Sequence, residues 1–230
     1  MPDTAAPDAP AAAANNAAWC DLVCRAARLP TTSGAGLWST PRRSPDAYPD
    51  AVTLARGVPV AEVLAAIDDS AGASVKDSFA DLDLAPHGYA VLFEAQWLSR
   101  APGPTSAPDL PWRTVDASTL PQWLAAHGSA AITRAVLDDP GVRLLLAADG
   151  DGPLAVAALN RSRAGADPVV GVSNVQALRA DPELVWRDLA RVARRELGPH
   201  PLVGYESGAD LVAPRAVGFE PVGGLRVWLR

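Results

Sequence analysis

The spacing of apolar positions divides the chain into alternating short helices and strands. In residues 58–67 apolar side chains recur every three or four positions, as on one face of a helix. Residues 182–197 show the same period behind Asp181, a good cap, with proline at the first helical position. Further apolar runs bounded by turn residues are typical of strands: residues 51–54, 73–79, 89–97, 142–148, 154–160 and 169–177. The pattern predicts a protein that mixes helices with strands.

Composition divides the same chain into four parts. Residues 1–14 have almost nothing to bury and are expected to form a disordered tail. Residues 15–100 are interpreted as an N-terminal α/β region, and residues 101–111 are rich in proline and are predicted to be a linker. Residues 112–230 then form a second domain.

The N-terminal region begins with a predicted helix that starts from Asn15 or Asn16. A long loop rich in Pro, Gly and Ser, residues 31–49, follows it, and a loop of this length is either functional or a packed connection. Glu94 interrupts the strongest strand of this half. If that strand is central, the carboxylate is buried and must be paired or protonated, and if the strand is at an edge, it is solvated.

The last thirty residues predict a strand, a short helix and a closing hairpin. Gly218 ends the helix, and two strands, 219–222 and 225–229, are joined by Gly223 and Gly224. From residue 112 onward the predicted order is strand, helix, helix, three strands, helix, strand, helix, strand, strand.

This order, with Ala216-Val217-Gly218-Phe219 followed by Gly224-Leu225-Arg226-Val227-Trp228, resembles the GNAT acyltransferase superfamily. The resemblance implies an α/β (α+β) fold with a mixed, mostly antiparallel sheet flanked by helices. Residues 15–100 share the start of that order and are compatible with a partial copy. The family binds acetyl-CoA or another acyl-CoA where its fourth and fifth strands separate, and it acylates an amine.

Carried onto this sequence, the resemblance implies candidate residues on two strands. Ser173, Asn174 and Val175 of the fourth strand would hold the pantetheine arm, although a strand bulge explains the polar pair equally well. Tyr205 at the end of the fifth strand is the nearest candidate acid and Glu206 a candidate base. Consecutive strand residues face opposite sides, so at most one of this pair should point into the cleft, and capping of the next helix is an equal alternative.

Two departures from the family pattern concern the cofactor and the acid. The turn that binds pyrophosphate in the family contains glycines, whereas here Arg179 is followed by a segment without any. Pro182 removes an amide donor, and Asp181 and Glu183 add negative charge where phosphate would lie, which leaves Arg179 as the candidate phosphate ligand. The position of the family's tyrosine acid is occupied by Pro214.

Charge and composition exclude two classes of binding partner. The net charge is −6 and no Lys/Arg cluster forms a phosphate-binding face, so nucleic acid is not expected as a partner. No run approaches the roughly 20 apolar residues of a membrane span and residues 1–16 do not resemble a signal peptide, so we expect a cytoplasmic protein without a membrane partner. Cys20 and Cys24 are interpreted as buried thiols rather than metal ligands.

Two hypotheses follow from different classes. The first is an acyl-CoA-dependent N-acyltransferase acting on a small-molecule or peptide amine. The second is a GNAT-like protein that does not bind CoA and serves as a binding or interaction module or performs other chemistry. The second hypothesis predicts a cleft that is filled by side chains such as Trp186 or is too acidic for a phosphate.

Overall fold

The structure is a computed structural model that describes residues 7–164 and 167–230. Within these ranges the α-helices are α1 (Ala9–Ala26), α2 (Val60–Ala65), α3 (Leu120–His127), α4 (Arg134–Leu137), α5 (Pro182–Leu197) and α6 (Val212–Ala216), with short 3₁₀-helices at Ala85–His87 and Gly208–Leu211. The strands are β1 (Thr32–Ser33), β2 (Leu37–Ser39), β3 (Ala51–Thr53), β4 (Ser74–Asp77), β5 (Ala90–Arg100), β6 (Trp112–Thr114), β7 (Val142–Asp149), β8 (Gly152–Ala164), β9 (Asp167–Ala177), β10 (Leu202–Glu206) and β11 (Glu220–Leu229).

The strands form one open sheet in the order β1-β2-β3-β4-β11-β5-β10-β9-β8-β7-β6. Neighbours are antiparallel except β3 with β4 and β9 with β10, which are parallel. The predicted mixed, mostly antiparallel sheet flanked by helices is therefore confirmed. The sheet includes strands from both sides of the 101–111 segment, and the division into two domains there stays a prediction.

The predicted closing hairpin is wrong, because β11 is a single strand. It pairs with β5 from Glu220 to Leu229, with a register shift between Pro221 and Gly223. Among the described glycines, Gly223 and Gly224 are not in the left-handed conformations that a tight hairpin turn needs. A Cβ atom at Gly223 would lie 2.9 Å from the Cβ atom of Ala9, so this glycine allows α1 to approach the strand.

The disordered tail predicted for residues 1–14 is wrong for residues 9–14, because α1 begins at Ala9. The Asp8 side chain caps the helix by accepting from the Ala11 amide, and Ala12 and Ala13 are buried against the sheet. Alanine methyl groups are enough to form a buried contact here, because small side chains let the helix lie close to the strands. Residues 1–6 of the predicted tail lie outside the described residues.

The α1 helix crosses the sheet at Gly171 and is fixed there by an amide pair. The Asn15 side chain donates to the Asn160 carbonyl oxygen at 3.1 Å and to Ser162 Oγ at 2.8 Å, and the Asn160 side chain donates to the Asn15 carbonyl oxygen at 3.3 Å. A Cβ atom at Gly171 would lie 1.9 Å from Asn15 Oδ1. Asn15 is thus a buried anchor within the helix and not the cap that the sequence predicted.

Two segments predicted to lack regular structure are packed parts of the fold. Residues 31–49 contain β1 and β2, and Tyr48 near the end of this segment packs against the core at Trp19. Residues 101–111 lie along α5, where Gly103 is so close to the Ala190 carbonyl oxygen that a Cβ atom would be 2.0 Å away.

Glu94 lies on a central strand yet is exposed, because that end of β5 is uncovered, and it pairs with Arg226 at 2.8 Å.

Helices cover the two faces of the sheet separately. Helices α5 and α6 bury one face of β7, β8 and β9, with Trp186, Leu189 and Phe219 at the centre of that core. Helices α1, α3 and α4 bury the opposite face around Trp19 and Trp123.

Candidate functional site

The two central parallel strands separate halfway along their length. They pair over two residues only, Leu202 and Val203 of β10 against Val170 and Gly171 of β9. Beyond these pairs β9 stays with β8 and β10 stays with β5, so a wedge opens in the sheet beside Asn174. The separation predicted for the fourth and fifth strands of the C-terminal region is present.

A β-bulge lies in β9 at the edge of the wedge. Ser173 pairs with Ala158 and Gln176 pairs with Val156, so β9 has one more residue than β8 between these pairs. Asn174 has a φ of 53°, a left-handed conformation that asparagine tolerates better than most residues. The polar interruption that the sequence showed in this strand is therefore a bulge, and the bulge adjoins the opening.

A cavity lies on each face of the sheet at the wedge. The α5-side cavity, about 580 Å³, has a lining that includes Val175, Asp181, Glu183, Trp186, Glu206 and Asp210. The α1-side cavity, about 550 Å³, has a lining that includes Trp19, Tyr48, Lys76, Asn174, Tyr205 and Glu206. Val175 and Glu206 line both, so the two cavities adjoin where β9 and β10 separate.

Glu206 is the titratable group at this junction. Its carboxylate has no hydrogen-bond or ion-pair partner in the described part of the chain, and burial, followed by the charge of Asp210, raises its pKa to about 8. A carboxyl group with a pKa in this range changes its protonation state near neutral pH and can exchange a proton with a substrate.

The raised pKa of Glu206 predicts a pH-dependent loss of stability. Between its ordinary pKa of 4.5 and the folded value of about 8, the folded state holds a proton that the unfolded state has released. Stability contributed by this group is therefore complete below pH 4.5 and is lost as the pH rises through 8. The unfolding free energy of Glu206→Gln minus that of the wild type should therefore increase as the pH rises from 5 to 8, and urea unfolding at several pH values measures this difference. Parallel pH curves for the two proteins would contradict the assignment.

Tyr205 lies on the α1 side of the sheet. Its ring packs edge-on against Trp97 with centroids 5.5 Å apart, and Lys76 Nζ lies 4.2 Å from its centroid. Tyr205 contributes to the α1-side cavity and not to the lining of the α5-side cavity. Of the two neighbours, Glu206 is thus the one that reaches both cavities, and the acid role of Tyr205 stays a prediction.

The start of α5 does not fit a diphosphate. The amides of Leu178, Arg179 and Ala180 all donate to the Leu154 carbonyl oxygen, at 2.9, 3.0 and 3.3 Å. The Asp181 side chain accepts from the Leu184 amide at 2.9 Å, so the helix cap is already occupied. At the helix start Pro182 has no amide hydrogen and the Leu184 amide is used within the protein, and so are the three loop amides that precede the helix.

Charge at the same place also disfavours a diphosphate. Besides Glu206, whose raised pKa of about 8 leaves it mostly protonated at neutral pH, three acidic side chains belong to the α5-side lining and, among the described residues, no Lys or Arg does: Asp181, Glu183 and Asp210. Arg179, the candidate phosphate ligand, points away and bonds the β7–β8 turn through Asp149 Oδ1 and the Gly152 carbonyl oxygen. A carboxylate at a helix start occupies the positive helix end that an anion would need, and that interaction with the helix is worth about 0.3–1 kcal/mol when exposed.

The α1-side cavity contains functional groups that the sequence did not assign. Tyr48 comes from the long loop, and burial raises its pKa above the usual value for tyrosine. His127 closes α3, stacks on Trp123 at 4.7 Å, and has its pKa lowered by burial. The length of the loop indicated that its residues, Tyr48 among them, could belong to a functional site. His127 is a single polar residue at a helix end, and nothing in the sequence indicated that it lines a cavity.

The described residues hold no group of three His, Cys, Asp or Glu side chains that could bind a metal ion. Cys20 and Cys24 are free and buried, as expected, and burial raises the pKa of the Cys20 thiol to about 11. Across residues 7–164 and 167–230, none of the helices combines the length and apolar character needed to cross a bilayer.

Known structures share this fold. A GCN5-related N-acetyltransferase from Kribbella flavida is 21% identical with a TM-score of 0.61, and the match covers 95% of each chain. A putative acetyltransferase from the GNAT family from Novosphingobium aromaticivorans is 16% identical with a TM-score of 0.61, covering 94% of this chain and 97% of that one. Saccharomyces cerevisiae N-myristoyltransferase with bound myristoyl-CoA is 9% identical with a TM-score of 0.50, covering 68% of this chain and 53% of that one.

At the level of sequence, no protein-family model and no curated protein matches the chain. The structural likenesses show that the chain has a GNAT-like fold, which confirms the resemblance drawn from residues 112–230. The first two matches cover nearly the whole chain, so the likeness extends well beyond that C-terminal part.

Proposed function

We propose that the protein is an acyltransferase that moves an acyl group from a thioester to an amine at the wedge between β9 and β10. The observation that carries the proposal is the meeting of two cavities from opposite faces of the sheet at Glu206. A donor in the α5-side cavity and an acceptor in the α1-side cavity would face each other across an unpaired stretch of strand. This arrangement brings two reactants together without a covalent enzyme intermediate.

In this mechanism Glu206 is the general base. The bond between the amine nitrogen and the acyl carbon forms, the carbon–sulfur bond breaks, and Glu206 takes the amine proton while the thiolate leaves and is protonated by water. The raised pKa, about 8, makes Glu206 a stronger base than an ordinary carboxylate while part of it is still ionised near neutral pH. Ser173, Asn174 and Val175 would lie beside the thioester arm.

The donor in this proposal binds through its thioester arm and not through a diphosphate. An acyl-CoA remains chemically suitable, since the structurally similar yeast enzyme contains myristoyl-CoA. The occupied amides and the carboxylates at the start of α5 give its nucleotide end no support in this chain. We therefore expect little preference for acetyl-CoA over acetyl-pantetheine, which lacks the nucleotide and diphosphate.

The test is thiol release from both donors in the presence of a panel of amines, followed with a thiol reagent. Amine-dependent release is expected with each donor, and the KM values should agree within about tenfold because no diphosphate contact separates them. Absence of amine-dependent release from both donors would contradict the acyltransferase proposal. A KM for acetyl-CoA more than 100-fold lower would instead contradict only the donor assignment.

A second candidate is a GNAT-like protein that binds ligands without acyl transfer. The observation that favours it is the acidic lining of the α5-side cavity, together with the adjoining loop whose three amides already bond Leu154. The cleft is not filled by Trp186, whose side chain is buried in the core and forms part of the wall. If neither acetyl-CoA nor acetyl-pantetheine at millimolar concentration raises the melting temperature, this candidate is preferred.

A further inference from the structure

The single lysine of the chain is buried beside the α1-side cavity. Lys76 lies on β4 with 4% of its surface exposed, and its side chain also lines a third space, the β11-side cavity of about 490 Å³. A buried ammonium group is uncommon unless an anion or a set of acceptors compensates for the water it has lost.

The protein itself compensates Lys76 only in part. Nζ donates to Asn16 Oδ1 at 2.9 Å and lies 4.2 Å from the centroid of the Tyr205 ring, whereas an ammonium group has three donors. Asp46 and Glu206 line the same cavity, but within the described residues neither forms an ion pair with Lys76, and Asp46 is exposed. The cation therefore faces the cavity without a counter-ion.

Hydrogen-bonding groups surround the same space. The lining of the α1-side cavity includes Tyr48, Ser173 and Asn174. The Tyr48 hydroxyl oxygen accepts from Trp19 Nε1 at 3.3 Å and Ser173 Oγ accepts from the Asn174 side chain at 3.0 Å, so both hydroxyl groups keep their hydrogen for a ligand. A hydroxyl and an amide next to an ammonium group suit a planar anion with two acceptor oxygens, such as a carboxylate. Glu206 lines this cavity too, so one ligand in it can meet both the cation and the base.

We propose that Lys76 binds a carboxylate of the acceptor, so that the acceptor is an amine that also bears a carboxylate. This inference rests on the proposed function for the identity of the ligand as acceptor, while the anion site itself depends only on Lys76 and the cavity. The β11-side cavity, which shares Lys76 and Tyr205, is walled by Leu92, Phe93 and Val227 and accommodates an apolar remainder of the acceptor.

The test is binding in the absence of any acyl donor. Isothermal calorimetry would compare apolar amino acids, such as leucine and phenylalanine, with their carboxamides, which keep the amine and the side chain but lose the negative charge. At least one free acid is expected to bind at least tenfold more tightly than its carboxamide. In Lys76→Met the ratio should fall to within twofold, because the side chain keeps its shape and loses its charge.

Controls separate this outcome from simpler causes. Arg42→Met removes the same charge from an exposed residue of the long loop, and it should keep the tenfold ratio. Lys76→Gln serves if Lys76→Met does not fold, and the acid-to-carboxamide comparison in the wild type needs no variant. Equal binding of acid and carboxamide, no binding of any acid at 10 mM, or a ratio preserved in the Lys76 variants would overturn the proposal.

The result also distinguishes this inference from the proposed function. A carboxylate preference without thiol release in the transfer assay would reject the acyltransferase and retain the anion site. Thiol release with amines and with amino acids alike, unaffected by Lys76→Met, would retain the acyltransferase and reject the anion site.

Discussion

Glu206→Gln is expected to lower kcat/KM for acyl transfer by about 10²–10⁴-fold, because glutamine keeps the size of the side chain and cannot accept a proton. In the wild type, kcat/KM should rise with pH and level off above an inflection near 8, where Glu206 loses its proton. The variant should lose that inflection. The measurement is a pH profile of thiol release at substrate concentrations well below KM.

Two further variants make this prediction specific. Asp210→Asn removes the charge that helps to raise the pKa of Glu206, so the inflection should move to lower pH. Glu94→Gln removes an exposed carboxylate on β5 that pairs with Arg226 and lines none of the three cavities described above, and its profile should match the wild type. If Glu206→Gln keeps more than a third of wild-type kcat/KM, Glu206 is not the base.

Asp188→Ala is expected to lower the free energy of unfolding by about 3 kcal/mol, which corresponds to roughly 6–12 °C in melting temperature for a chain of this size. Asp188 is fully buried on α5 and accepts from the Asp109 amide at 2.9 Å, the Leu110 amide at 2.7 Å and Arg191 Nη1 at 3.0 Å. Its removal leaves two backbone amides without an acceptor, while the bond from Arg194 Nη1 to the Gly103 carbonyl oxygen still holds the 101–111 segment to the helix.

Urea unfolding of matched variants tests this assignment. Asp188→Asn keeps an acceptor oxygen and should lose less stability than the alanine variant. Asp109→Ala removes only the exposed carboxylate that pairs with Arg191 at 2.7 Å, and a change below about 1 kcal/mol is expected. A loss below 1 kcal/mol for Asp188→Ala would show that the segment is held by other contacts.

The sequence predicted residues of the site only where the resemblance to the GNAT superfamily assigned them to a particular strand or turn. Asn174 and Val175 were assigned to the fourth strand, and both line the opening, whereas Arg179 was assigned to a phosphate and instead bonds the β7–β8 turn. The sequence showed that the segment after Arg179 lacks glycine. It did not show that the amides of residues 178–180 would donate to the Leu154 carbonyl oxygen. Backbone direction in a short turn depends on the strand beside it, and the acceptor on that strand, Leu154, is 24 or more residues away along the chain.

The hydrophobic pattern alone determined which segments are strands and helices from β7 to α5, because each buries one face and its period reports that burial. Only the tertiary structure decided that β5, from the first half, lies between β10 and β11 and that residues 220–229 form one strand instead of the predicted hairpin. It also decided that Lys76 and Tyr48 lie near Glu206. The pattern of a strand reports that it is buried and not which strand it pairs with, since pairing between distant segments is fixed by packing of the whole sheet.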